Sequence, residues 1–162
     1  MTRSTFRVMP TDLDGLFHMN NGKYLSLMDV ARFEFMQRTR LFRKMRARGW
    51  YPVVANQTIS YRKSLNPFQK FAIETKLIGA DERAAYMEQR FVRRHNGTYE
   101  IYARAYVQAR FLSKAGGTVP VDELIAEFGI DPEQLALPQF IADWAAGVRL
   151  PSPRSEAPSV WE

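Results

Sequence analysis

Residues 22–48 constrain the fold more than any other stretch. Tyr24, Leu27, Met28, Ala31 and Phe35 recur at helical spacing, and Leu41, Phe42 and Met45 continue the pattern, which predicts one long helix with a break near Thr39. A second face of the same helix carries Leu25, Phe33 and Met36. A helix that is apolar over more than the usual stripe must be wrapped, not merely rested on a surface. Wrapping it takes a curved sheet.

The strands for such a sheet follow in order. Residues 6–9 form a short β-like run ended by Pro10, and residues 53–61, 68–78, 84–93 and 99–112 are rich in β-branched and aromatic side chains. Asn66-Pro67, Gly79-Ala80-Asp81 and Asn96-Gly97 punctuate them, the last being a strong hairpin signal. Phe71, Ile73, Thr75 and Leu77 alternate with Lys70, Ala72, Glu74 and Lys76, so one face packs and the other is polar. Successive hairpins with the helical material kept apart predict an α+β domain with five antiparallel strands. After Gly116-Gly117, residues 121–128 and 138–146 read as short helices that each follow or begin at a proline. Residues 1–147 therefore form a single domain, and the proline- and serine-containing residues 148–162 read as an extended or disordered tail.

Composition removes several chemistries. The chain has no cysteine and only two histidines, His18 and His95, which excludes disulfides, thiolate metal sites and a cysteine nucleophile and argues against a histidine zinc site. No run of about 18 apolar residues occurs, and the N-terminal residues hold no apolar stretch. The expectation is a cytoplasmic protein with no membrane partner. The net charge of +6 favours polyanions, among them phosphorylated cofactors such as coenzyme A. No zinc-finger spacing, RNA-binding signature or helix-turn-helix pair is present, so no nucleic-acid partner is expected.

Just before the helix, residues 11–22 read Thr-Asp-Leu-Asp-Gly-Leu-Phe-His-Met-Asn-Asn-Gly. Such a loop has two readings. Asp, Asn and Gly make turns by bonding their own backbone. A helix start also offers unpaired N–H groups and a positive dipole end, so a carboxylate beside it is half of a hydrolytic site.

The order Asp14, His18, Met19, Asn20, Asn21, Tyr24, then Asp29 and Arg32, resembles the hot dog thioesterases of the 4-hydroxybenzoyl-CoA thioesterase class, in the thioesterase-like branch with an Asp…His-Met-Asn-Asn loop. Gly49-Trp50-Tyr51-Pro52-Val53-Val54, Tyr61-Arg62, Asn66-Pro67-Phe68 and Glu88-Gln89-Arg90-Phe91 are similar to that branch in the same order, and the likeness covers residues 6–121. It implies a long central helix wrapped by a five-stranded antiparallel sheet, assembled as a homodimer or a tetramer. One position departs: relatives with an Asp-x-x-Gly-His loop have glycine where this chain has Phe17.

The resemblance implies hydrolysis of an acyl-CoA thioester. Asp14 matches the catalytic acid, as general base or nucleophile, with a turn-capping aspartate as its structural alternative; Asp12 is the rival acid. The backbone N–H of Asn21 matches the oxyanion donor. His18 either bonds a substrate carbonyl or holds the loop, and the side chains of Asn20 and Asn21 either cap the helix or touch substrate. Gly22, Tyr24, Tyr61, Arg62 and Lys63 are the further substrate-binding candidates. Arg62 and Lys63, with the Arg93-Arg94 pair, are suited to the phosphates of coenzyme A. Asp29 and Arg32, three apart on the helix, read as a structural ion pair. No metal and no cofactor beyond the coenzyme A of the substrate is implied. Two other functions share the fold: a non-catalytic acyl-CoA or acyl-carrier binding protein, and a dehydratase using His18 with Glu34. The Phe-Pro-Gly expected after a dehydratase histidine is replaced here by Met-Asn-Asn.

Overall fold

In the computed structural model, residues 1–152 and 154–160 are described. Five strands, β1 (Thr2–Arg7), β2 (Trp50–Tyr61), β3 (Lys70–Ala80), β4 (Ala85–His95) and β5 (Thr98–Ser113), form one sheet in the order β1-β3-β4-β5-β2. Every neighbouring pair is antiparallel. Asn96 and Gly97 both take positive φ, at 48° and 84°, as a two-residue hairpin turn between β4 and β5 requires.

The helix α1 (Asn21–Arg38) lies across one face of this sheet. Tyr24, Met28, Ala31, Arg32 and Phe35 are its buried side, and they meet Phe71, Ile73, Met87, Phe91, Ala103, Ala105 and Val107 from the strands. Ala103 and Ala105 of β5 are fully buried in this cluster. The break expected near Thr39 is present and divides residues 22–48 into two helices. Thr39 folds its hydroxyl back onto the Phe35 carbonyl at 2.7 Å, and Arg40 enters the left-handed region at φ 60°. The chain then turns into α2 (Leu41–Ala47), which delivers Met45 to a second apolar cluster with Phe111, Val119 and Leu124.

Two short helices finish the domain. α3 (Val121–Phe128) closes the second cluster. α4 (Gln139–Gly147) packs Ile141 and Ala145 against Ala84 and Tyr86. Tyr86 alternates with the inward Met87, so α4 covers the opposite face of the sheet from α1. Other boundaries shift by a few residues. β1 begins at Thr2, four residues before the expected Phe6, because its polar run still pairs with β3 from Thr2↔Thr75 to Arg7↔Lys70. β2 starts at Trp50 and contains Pro52, which an edge strand tolerates. Phe68, expected to open β3, sits in a turn at φ 62°. Within the expected tail, Pro153, Trp161 and Glu162 lie outside the described residues, and 148–152 and 154–160 carry no helix or strand.

Candidate active site

Between β1 and α1 the backbone is shaped by two aspartates with different work. Asp12 is buried at 6% exposure. Its Oδ2 accepts from the Met9 N–H at 2.8 Å, its Oδ1 pairs with Lys23 Nζ at 2.9 Å, and its carbonyl accepts from the Asn20 N–H at 2.8 Å. The rival acid therefore anchors the loop to the first turn of the helix.

Asp14 shapes the loop tip. Leu13 and Met19 bridge, and the Asp14 N–H donates to the His18 carbonyl at 2.9 Å. Asp14 Oδ1 accepts from the Leu16 and His18 N–H groups at 2.9 and 3.2 Å. The turn-capping reading is thus realised by one carboxylate oxygen. The other, Oδ2, accepts no hydrogen bond among the described residues. Phe17 stands at φ 58°, a left-handed conformation that costs a non-glycine residue about 1–2 kcal/mol. At the position where the Asp-x-x-Gly-His pattern would place glycine, the backbone here takes a glycine-like turn.

The helix start divides its functions between neighbours. Asn20 is the N-cap, and its Oδ1 accepts from the Gly22 N–H at 2.8 Å. The Asn21 N–H, first in α1, makes no hydrogen bond among the described residues. It is a free donor at the positive end of an 18-residue helix.

Asp14, His18 and Asn21 line one open cleft with Tyr24 and with Tyr61, Arg62 and Lys63 from the end of β2. Seven of the nine candidate residues thus converge on it, while Asn20 and Gly22 are bonded to one another beside it. The His18 backbone holds the loop and its ring makes no hydrogen bond among the described residues. Tyr24 is buried, edge-on to Tyr61 with ring centroids 5.0 Å apart. Burial raises its phenol pKa, against a backbone hydrogen bond at Leu65 that lowers it, and burial also raises that of Tyr61. Arg62 Nη1 and Lys63 Nζ both donate to Glu100 Oε1, at 2.8 and 2.7 Å. Leu16, Met19 and Ser64 also line the cleft. No chemical signal in the sequence distinguishes these three, since their place follows from neighbours in the loop and in the β2 end.

Other nominated groups lie apart. Arg93 donates to the Lys70 carbonyl and to the Tyr102 hydroxyl, both at 3.1 Å, and Arg94 is exposed next to it near the end of β4. Asp29 and Arg32 form the expected ion pair. Glu34 pairs with Arg38, and 13 residues of helix separate it from Asn21, about 20 Å. One chain therefore does not bring His18 and Glu34 together. Among the described residues no cluster of metal-ligating side chains occurs, and no helix is long and apolar enough to cross a membrane. A small cavity of about 60 Å³ near the far end of α1, touched by Phe35, Met45, Phe111 and Leu124, is lined wholly by apolar residues and offers packing rather than chemistry.

A helix wrapped by a five-stranded antiparallel sheet, with a polar cleft at the helix start, defines a hot dog domain. The chain belongs to the thioesterase-like superfamily, whose family model matches residues 8–144. It is 49% identical to Protein THEM6 of Xenopus laevis over 85 residues, covering 52% of this chain and 41% of that protein. It is 31% identical to Protein THEM6 of Drosophila melanogaster over 136 residues, covering 83% of this chain and 66% of that protein. The chain thus spans less than two thirds of the length of these relatives. Its fold is similar to the crystal structure of the YbaW probable thioesterase from Escherichia coli, with a TM-score of 0.73 and 22% identity over 83% of this chain and 98% of that one.

Proposed function

We propose that the chain hydrolyses an acyl-CoA thioester to the free acid and coenzyme A. The observation that carries this reading is the meeting, in one cleft, of a carboxylate with an unbonded oxygen, Asp14, and the unbonded helix-start N–H of Asn21. Membership of a thioesterase-like superfamily agrees with it.

In this mechanism Oδ2 of Asp14 either takes a proton from the attacking water or itself attacks the carbonyl carbon. The carbonyl oxygen gains negative charge as the tetrahedral centre forms, and the Asn21 N–H donates to it. A donor of this kind is worth about 2.7–4 kcal/mol in the transition state. The C–S bond then breaks and the thiolate leaves, taking up the proton held by Asp14 on the general-base route; on the nucleophilic route water then hydrolyses the acyl–Asp14 anhydride, which releases the acid and restores the carboxylate. Asp14 Oδ1 keeps the carboxylate oriented by its two backbone donors, and Tyr24, Tyr61 and the His18 ring border the acyl and pantetheine portions. Arg62 and Lys63 face the phosphates. The chemistry as written uses no metal ion or bound organic cofactor.

The reading includes a homodimer. β2 is an edge strand of 12 residues with Tyr51, Val54 and Tyr61 exposed, and a long apolar edge invites pairing with a second copy. A screen of short, long and aromatic acyl-CoAs for thiol release, with binding followed by thermal shift, tests the function. Turnover of at least one supports it; binding without turnover would establish the acyl-CoA binding protein instead.

A further inference from the structure

The two cations at the cleft are held side by side by the backbone. The N–H groups of Arg62 and Lys63 both donate to the Tyr102 carbonyl, at 2.8 and 3.0 Å, so the end of β2 bulges and sends two consecutive side chains to the same place. Both then converge on a single carboxylate oxygen, Glu100 Oε1, and Arg62 Nη1 also reaches the Ile101 carbonyl at 3.1 Å. Glu100 borders the adjoining surface with Arg62, Tyr99 and Arg104, and it does not line the cleft that holds Asp14. The carboxylate therefore sits behind the cations while their other side faces the cleft.

We propose that Glu100 is a built-in counter-ion that competes with a phosphate group of the ligand for Arg62 and Lys63. This rests on the acyl-CoA reading and deepens it by naming the residue that tunes how tightly the phosphates are held. The physical basis is an exchange of anions. A carboxylate brings one negative charge, and here one oxygen serves both donors. A phosphate monoester brings nearly two charges and separate oxygens for each cation, which suits charge-assisted pairing. All three side chains are partly exposed, at 56%, 45% and 27% for Arg62, Lys63 and Glu100, and exposed ion pairs of this kind are weak enough to exchange. Flanked by two cations, the Glu100 carboxyl is held at about 2, far below its usual value. It stays ionised throughout the physiological range, so protonation does not relieve the competition.

The test is calorimetric titration of coenzyme A, and of pantetheine as the phosphate-free control, into wild type and Glu100→Gln at low and high salt. The expected result is about five-fold tighter binding of coenzyme A to Glu100→Gln at low salt, a gain that shrinks as salt rises, and no gain for pantetheine. Glu100→Ala should repeat it, and Arg62→Gln with Lys63→Gln should weaken coenzyme A binding while sparing pantetheine. Equal or weaker coenzyme A binding in both Glu100 variants overturns the proposal, as does a gain shared by pantetheine or no binding to any of the proteins. No turnover is involved, so the outcomes separate. Tighter coenzyme A binding with no hydrolysis by wild type leaves the counter-ion standing and removes the hydrolase; hydrolysis without tighter binding does the reverse.

Discussion

Arg32 donates from Nη1 to Oε1 of Gln89 across 2.6 Å in the interior beneath the central helix. Gln89 in turn donates to the Met28 carbonyl at 3.1 Å and to Thr75 Oγ1 at 3.0 Å, so it ties α1 to β3 and β4 at one point. Burial pushes the Arg32 pKa down, and the neighbouring Asp29 pulls it back up. A buried guanidinium stripped of one partner is left with an unpaired donor. Gln89→Leu should therefore cost about 2–4 kcal/mol in urea unfolding. Adding Arg32→Met to that variant should recover part of the loss, because the unpaired buried donor is removed along with its acceptor. Equal stabilities of wild type and Gln89→Leu would contradict the link.

The sequence carried the outline of this arrangement but not its interior. The wrapped helix followed from Leu25, Phe33 and Met36 on a second face, and the Asn96-Gly97 turn from residues that alone tolerate positive φ well. The pairing of Asp29 with Arg32 was legible from spacing. That Arg32 is buried and bonded to Gln89 was not, since the contact spans 57 positions and neither residue type signals burial. At the site, Asp14 and Asn21 were legible from their order, while the engagement of Arg62 and Lys63 by Glu100 depends on strand register. The break near Thr39 was legible too, but its left-handed turn at Arg40 was not, since arginine is a good helix former.

The Asn20 cap offers a local test. Asn20→Ala removes the acceptor for the Gly22 N–H and should lower stability by about 1 kcal/mol. Asn20→Asp should retain it. Urea midpoints of the two variants check this, and an undiminished midpoint for Asn20→Ala would show that the cap is not holding the helix start.

Gly79 makes room for the segment that leads into α4. A Cβ there would lie 2.9 Å from the Leu137 Cα and 3.3 Å from the Ala136 carbonyl oxygen, so backbone would have to move. Gly79→Ala should destabilise by about 1–3 kcal/mol and loosen α4 from Tyr86, seen as faster amide exchange at 141–145. Unchanged stability and exchange would count against the close approach.

Acid should unlock the cluster at the end of β2. The Glu100 carboxyl lies at about 2, from an ordinary 4.5, because Lys63 and Arg62 bond its charged form. A folded pKa below the unfolded one gives stability that is present above about 4.5 and lost as pH falls toward about 2. The thermal midpoint of wild type should exceed that of Glu100→Gln at pH 6, and the difference should vanish by pH 2. A difference that does not change with pH would contradict the pairing.

The central claim is that Asp14 performs chemistry in addition to capping its loop. Asp14→Asn keeps a side-chain oxygen for the Leu16 and His18 N–H groups and removes the base or nucleophile, so the loop should persist while hydrolysis fails. The direct measurement is the rate of thiol release from whichever acyl-CoA wild type turns over, set beside the thermal midpoint of each protein. The expected result is a fall of at least about 100-fold in kcat for Asp14→Asn with a midpoint within a few degrees of wild type. An Asp14→Asn enzyme that turns over at the wild-type rate would contradict the account.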